Sequence, residues 1–265
     1  MTIDLDRAAD LAVRLADAAR AETLPRFRAA GLVADNKLDD SAFDPVTDAD
    51  RGAEAAIRAL LAAEAPDDTV LGEEHEDRHG SSGATWVIDP VDGTRAFIAG
   101  LPTWGTLIAL DDGDRGVLGL VDHPWTDERF LGLRDRGASL TRAGQTRPIA
   151  VRRTRDLAEA TLMTTALELF NDADAAVFAH LRDAARLTRY GMDCYAYAML
   201  AAGQIDLVVE CDLQAYDIAA PKALVEAAGG VVTDWQGGDC RWGGNVVAAA
   251  TPELAETARR VLSAR

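Results

Sequence analysis

With 265 residues, 48% of them hydrophobic, the chain is long and apolar enough to bury a sizeable core as one large domain or two small ones. Acids outnumber bases 44 to 27, a formal charge of −17, which excludes a broad nucleic-acid face and calls for local cations wherever a phosphorylated ligand binds. Cys194, Cys211 and Cys240 show no Cys-x-x-Cys spacing, and neither a membrane-length apolar run nor a basic-then-apolar leader occurs, so the expected setting is reducing, cytoplasmic and off the membrane.

Leu5, Ala8, Ala12, Leu15 and Ala19 recur at helical spacing and predict an amphipathic helix over residues 3–29, ended or bent by Pro25. Residues 31–47 read as a loop in which Lys37 is a solvated charge. A second helix is predicted over 48–63, with Ile57, Leu60 and Leu61 on one side. Asp48 or Asp50 would suit its positive N-terminus as a cap, which accounts for one acid rather than both. Thr69-Val-Leu71 predicts a short strand that delivers Gly72-Glu73-Glu74 at its end. Neighbouring strand residues point to opposite faces, so one of these two acids enters any shared site. His75 and His79 read as surface residues, and the loop over 76–84, with Gly80-Ser-Ser-Gly83, reads as mobile.

Trp86-Val87-Ile88 reads as the end of a buried strand, and Pro90 cannot continue a ladder because it lacks an N–H. Asp89 and Asp92 follow, three residues apart, ahead of Gly93-Thr94-Arg95. Two carboxylates so near a buried strand repel each other and lose hydration unless a cation lies between them. Gly93 admits a ligand close to the backbone, and Thr94 adds a hydroxyl. Oxygen ligands beside a small-residue anion cradle suit a magnesium–phosphate site; an Asp-rich turn is the plainer alternative, and the stretch alone leaves both open. One helical turn over 96–98 would aim its first amides at a phosphate placed over Gly93 and Thr94. Strands are predicted over 106–110, 117–121 and 130–133, and Trp104 reads as packing.

Beyond residue 150 the pattern alternates: strand 160–164, helix 173–186, strand 187–190, helix 193–202, strand 205–210, helix 217–228, strands 230–233 and 246–250, and helix 252–263. Such alternation implies an α/β fold with helices layered on sheets, here divided into an N-terminal half over 1–150 and a C-terminal half over 151–265. Read from residues alone, Asp217 and Asp193 are helix N-caps and Glu210 is a surface acid at a strand end.

Asp89-Pro-Val-Asp-Gly-Thr94 resembles the signature of the inositol monophosphatase family, which are lithium-sensitive, magnesium-dependent phosphomonoesterases. Leu71-Gly-Glu-Glu74 upstream, and Tyr216-Asp-Ile-Ala-Ala220 and Gly229-Gly-Val-Val-Thr-Asp234 downstream, stand in that family's order, so the resemblance runs from about Asp35 to the C-terminus. It implies a five-layer αβαβα sandwich with the site between its halves, a homodimer, and in-line attack of water on phosphate without a covalent intermediate. It implies two or three Mg2+ ions held by Glu73, Asp89, Asp92, Asp217 and the Val91 carbonyl. Asp50 and Thr94 then orient the water, aided by Glu73, while Gly93, Thr94 and Arg95 face the substrate. A lysine near Lys37 approaches the site in that family.

Thr94-Arg-Ala-Phe-Ile-Ala-Gly-Leu-Pro-Thr-Trp-Gly-Thr106 resembles the histidinol-phosphate phosphatase branch, as do Gly191-Met-Asp-Cys-Tyr-Ala-Tyr197 and Asp206-Leu-Val-Val-Glu210. On that resemblance Asp193 and Glu210 become acids placed to meet a cationic amine or imidazole. Glu210-Cys-Asp-Leu-Gln-Ala-Tyr216 departs from the branch's Leu-Lys-Pro-Tyr ending, and Arg129-Phe130 from its Arg-Trp. The expected activity is thus a histidinol-phosphate phosphatase of histidine biosynthesis. Its alternatives are an inositol- or sugar-phosphate phosphatase and, without catalysis, an acidic calcium-binding scaffold. Asp89–Thr94 lacks the alternating ligands and closing Glu of an EF-hand, which disfavours the last.

Overall fold

The computed structural model describes residues 3–36 and 45–264; residues 37–44 of the predicted 31–47 loop, Lys37 among them, lie outside the described residues. Asp4 caps helix α1 (Leu5–Thr23) by accepting the Asp6 and Arg7 N–H groups, and Leu11, Ala12, Leu15, Ala16 and Ala19 bury its apolar stripe. The helix is shorter than predicted. Pro25 has no N–H to extend it, and the chain turns on bonds from the Arg26 and Phe27 amides to the Thr23 carbonyl. Within the predicted loop, β1 (Ala34–Asn36) and β2 (Pro45–Thr47) pair antiparallel; strands of three residues are too short to show a period. Thr47, rather than Asp48 or Asp50, caps α2 (Asp48–Glu64), with Asp50 closing a capping box. Asp48 is exposed and pairs with Arg51 at 3.7 Å.

The seven-stranded sheet follows: β3 (Thr69–Gly72), β4 (Thr85–Asp92), then after α3 (Thr94–Ile98) β5 (Gly105–Asp111), β6 (Gly116–His123), β7 (Glu128–Leu133), β8 (Gly137–Arg142) and β9 (Gln145–Ile149). They lie in chain order, β3 parallel to β4 and every later pair antiparallel. The β8–β9 hairpin escaped prediction because β9 is exposed along most of its length and shows no alternation. The 76–84 loop, read as mobile, is tied down: Ser81 and Ser82 amides bond to the Asp67 carbonyl at 2.8 and 2.9 Å, and Arg78 pairs with Val70.

The second sheet is built from β10 (Thr161–Thr164), and after α4 (Asp172–Ala184) β11 (Leu187–Tyr190), and after α5 (Cys194–Ala201) β12 (Leu207–Gln214). Helix α6 (Ala215–Ala227) leads to β13 (Val231–Asp234) and β14 (Gly243–Ala249), and α7 (Pro252–Leu262) closes the chain. Its strand order is β11-β10-β12-β14-β13.

Alternating side chains assign the layers. Trp86, Ile88, Ile108 and Leu110 pack with α1 and α2, while Val87, Leu107 and Ala109 join α5 and α6. Val208, Val246 and Ala248 bury against α5 and α6 from the second sheet, and Leu207, Val209 and Val247 face α4 and α7. The result is the five-layer αβαβα sandwich. Glycines set how closely α6 lies on the first sheet: a Cβ at Gly119 would stand 2.2 Å from the Ala220 carbonyl oxygen, and one at Gly132 2.7 Å from the Leu224 Cα. That close seat carries the first turn of α6 to the end of β4. Among the described residues no helix is long and apolar enough to cross a membrane.

Candidate active site

On a regular strand Asp89 and Asp92, three residues apart, would face opposite sides. Here Asp89 pairs with Leu107 and Asp92 with Gly105, so Pro90 and Val91 together oppose Thr106. This β-bulge shifts the side-chain phase by one residue and turns both carboxylates to the same side. Proline fits at a bulge because no ladder N–H is needed, and its carbonyl accepts the Thr106 hydroxyl at 2.8 Å. Beyond the bulge, Phe97 anchors α3 in an aromatic cluster with Phe27 and Trp104, so Trp104 packs as expected.

Asp217 completes the group. Helix α6 begins at Ala215, so Asp217 is its third residue and accepts the Gln214 N–H at 2.7 Å in a capping box. Oxygens of Asp89, Asp92 and Asp217 nonetheless lie within 4.8 Å of one another, so one carboxylate serves the helix start and the cluster together. Asp89 also accepts the Val91 N–H at 3.0 Å, and Asp92 accepts the Cys194 N–H at 2.7 Å from the start of α5. Burial first, then repulsion from Glu73, Asp92, Asp217 and Asp50, raises Asp89 well above the usual carboxylate range. Burial, with Asp193 and Asp217 next, does the same to Asp92. Acids crowded in this way hold either protons or a cation, and an all-oxygen set fits magnesium.

Glu73 stands outside that trio, although its charge is the strongest neighbouring influence on Asp89. Its turn is braced by a residue that sequence reading missed. Glu54, fully buried on α2, accepts the Glu74 N–H at 2.7 Å and the Arg58 Nε–H at 2.6 Å. Gly72 leaves the room, since a Cβ there would lie 2.1 Å from the Glu54 carboxylate. One helical turn earlier on α2, Asp50 is also fully buried. Its Oδ2 accepts the Thr47 N–H at 2.9 Å and the Thr47 hydroxyl at 2.5 Å, and its Oδ1 lies 3.3 Å from Thr94 Oγ1. Thr94 Oγ1 is also 3.1 Å from the Val91 carbonyl.

Asp92, Gly93, Thr94, Arg95, Asp193, Glu210 and Asp217 line one cavity of about 230 Å³, in which Arg95 is the one cation among the described residues. Asp193 occupies the N-cap position of α5 but makes no capping hydrogen bond, which corrects the N-cap reading. Its backbone, at φ 46° and ψ −142°, lies where L side chains are rare, a strain that concentrates at functional sites. Its carboxylate lies against Gly93, where a Cβ would come within 3.0 Å of the Asp193 Cγ, and Gly93 itself has φ 78°. Burial pushes Asp193 up to about 6, against the opposing pull of the Thr103 hydroxyl and the Arg95 charge. Glu210 is not the surface acid its position predicted: β12 runs on to Gln214, and Glu210 is 1% exposed. It accepts the Thr165 N–H and hydroxyl at 2.8 and 2.9 Å and the Thr164 hydroxyl at 3.2 Å, and burial pushes it up to about 7.

The model of the Inositol monophosphatase family matches residues 4–264. The bifunctional phosphatase IMPL2 of Arabidopsis thaliana is 39% identical over 250 residues, covering 94% of this chain and 70% of that protein. A histidinol-phosphatase of Streptomyces coelicolor is 38% identical over 249 residues, covering 90% and 91%. Among solved structures, an inositol monophosphatase from Zymomonas mobilis superposes with a TM-score of 0.86 at 41% identity, covering 98% of this chain and 99% of that one.

Proposed function

The chain belongs to the inositol monophosphatase family and is a phosphatase, and from that premise we propose that it hydrolyses histidinol phosphate with magnesium. The observation that carries this reading is the trio of carboxylate oxygens within 4.8 Å, opening on a cavity lined also by Asp193 and the buried Glu210. Asp89, Asp92 and Asp217 would hold the metal, with Glu73 and the Val91 carbonyl beside them. When bound, magnesium supplies positive charge to the phosphoryl oxygens and acidifies water, which an acidic site cannot do by itself.

The chain's own residues place and deprotonate that water. Thr94 Oγ1 accepts a hydrogen from the water while its own hydrogen points to Asp50 Oδ1, 3.3 Å away. Because Thr47 clamps the other Asp50 oxygen, the proton leaves toward a fixed carboxylate. Gly93 lets the phosphate approach the backbone, and Arg95 adds a cation at the mouth. Asp193 and Glu210 are then free of any role in the reaction at phosphorus and meet the ammonium of the leaving amino alcohol. A second reading, a cyclitol phosphate phosphatase, draws on the 41% identity to the Zymomonas mobilis protein.

Glu210→Gln tests the substrate. It removes one charge with little change in volume, and losing a charge-assisted hydrogen bond is worth about 1.5–3 kcal/mol. The expected result is a drop in kcat/KM on histidinol phosphate of roughly one to two orders of magnitude, with phenyl phosphate spared. An equal loss on both substrates would make Glu210 a general support of the site. The pH dependence has a definite sign. Asp193 at about 6 and Glu210 at about 7 hold their protons to higher pH than ordinary carboxyls, and only their charged forms attract an ammonium. Preference for histidinol phosphate over phenyl phosphate should therefore grow as pH rises from about 6 to about 8, and a flat ratio would contradict the assignment.

A further inference from the structure

We propose that the Tyr197 hydroxyl is a specificity determinant that donates a hydrogen bond to an acceptor atom on the organic part of the substrate, the ring nitrogen of a neutral imidazole. This deepens the histidinol phosphate reading and rests on it. Tyr197 lies on α5, one turn past Asp193, and lines the same cavity as Asp193 and Glu210. Its side chain is buried, the residue being 3% exposed, and its hydroxyl has no hydrogen-bond partner among the described residues. Buried hydroxyls almost always find a partner, so one left unmatched at a cavity wall points to the ligand as the missing acceptor.

The surroundings decide which way the bond runs. Burial first, then the neighbouring acidic groups Glu210, Cys240, Asp92 and Asp217, raise this phenol well above its ordinary range, so it keeps its proton. The hydroxyl of this cavity-lining residue therefore offers an O–H. The neighbouring carboxylates already have local donors: Asp92 takes the Cys194 amide, Asp217 the Gln214 amide, and Glu210 the Thr164 and Thr165 groups. Thr94 faces Asp50, and Thr165 is engaged by Glu210. Tyr197 is thus a neutral donor in a cavity whose walls are mostly acceptors. An ammonium offers nothing to such a donor. A neutral imidazole nitrogen does, so the acids and the phenol divide the two nitrogenous groups of one substrate between them.

Tyr197→Phe removes one oxygen atom. On histidinol phosphate the variant should lose roughly tenfold in kcat/KM, mostly through KM, while phenyl phosphate is turned over as before. The wild-type enzyme should show the same loss on 2-amino-3-phenylpropyl phosphate, which keeps the amine and lacks the ring nitrogen, and this arm needs no variant to fold. In Tyr197→Phe the two amino substrates should become equivalent. The thermal midpoint of the variant, without substrate or magnesium, should equal or exceed that of the wild type, since an unmatched buried hydroxyl has been removed. A lower midpoint with equal losses on every substrate would overturn the proposal and leave Tyr197 a packing residue. If the wild type prefers inositol phosphate, the histidinol reading fails separately. The donor role then survives only if Tyr197→Phe loses activity on inositol phosphate and not on phenyl phosphate.

Discussion

Asp92→Asn is expected to abolish turnover at saturating magnesium and, in the metal-free protein, to raise the thermal midpoint. The two effects share one cause. Asp92 is one of three carboxylates whose oxygens lie within 4.8 Å, and burial together with Asp193 and Asp217 raises it well above 3.8. A carboxyl whose folded value lies above its unfolded one stabilises the fold only while protonated. That contribution is complete below the unfolded value and is lost as pH rises through the folded one. At neutral pH without a cation, Asp92 therefore costs the fold, whether it holds its proton above the ordinary range or stands charged among its neighbours, and the neutral amide relieves that cost. The amide oxygen still accepts the Cys194 N–H, so the contact between β4 and α5 is kept. With Asp92 as a proposed metal ligand, removing its charge would weaken the hold on the metal, at a cost of several kcal/mol of electrostatic stabilisation and roughly three orders of magnitude in kcat. A variant with near-normal kcat would return Asp92 to a structural role, and a lowered midpoint would contradict the repulsion between the acids.

Asp50→Asn is the second large effect. The amide could not take the proton that Thr94 relays in the proposed mechanism, and loss of a positioned general base costs on the order of 10²–10⁴ in rate. The magnesium concentration for half-maximal activity should barely move, because in the proposed mechanism Asp50 acts through Thr94 rather than as a ligand. Thr94→Val should fall by a similar factor, and the double variant should be little slower than either single one, as residues acting as one unit are not additive. Multiplying losses in the double variant, or a large rise in the magnesium requirement for Asp50→Asn, would place Asp50 in another role. Asp50 also closes the capping box of α2, so circular dichroism of the variant should confirm that the helix start survives.

The chemistry of the site was more legible in the sequence than its geometry. Ordered acidic blocks marked Asp89, Asp92 and Asp217, and long periodic segments marked most helices and strands. Their common face was not legible, because a three-residue spacing on a strand implies opposite sides. Only the bulge reverses that, and Pro90 was its one local trace. Glu54 was invisible for a related reason: its partner, the Glu74 amide, is 20 residues away, and on α2 it looks like any helical acid. Glu210 looked exposed because its donors, Thr164 and Thr165, come from a different strand and loop about 45 residues earlier. Burial of an acid is a tertiary property, and a single sequence carries little of it. The strain at Asp193 and the unmatched Tyr197 hydroxyl belong to the same class, since the first is a backbone angle and the second an absent neighbour.

Kinetics of the wild-type enzyme on histidinol phosphate and inositol 1-phosphate, with magnesium and after exhaustive chelation, test the central claim most directly. Turnover should appear only with magnesium, and kcat/KM should favour histidinol phosphate by about tenfold or more, the worth of one charge-assisted contact. Full activity in chelated protein, or a preference for inositol 1-phosphate, would contradict it.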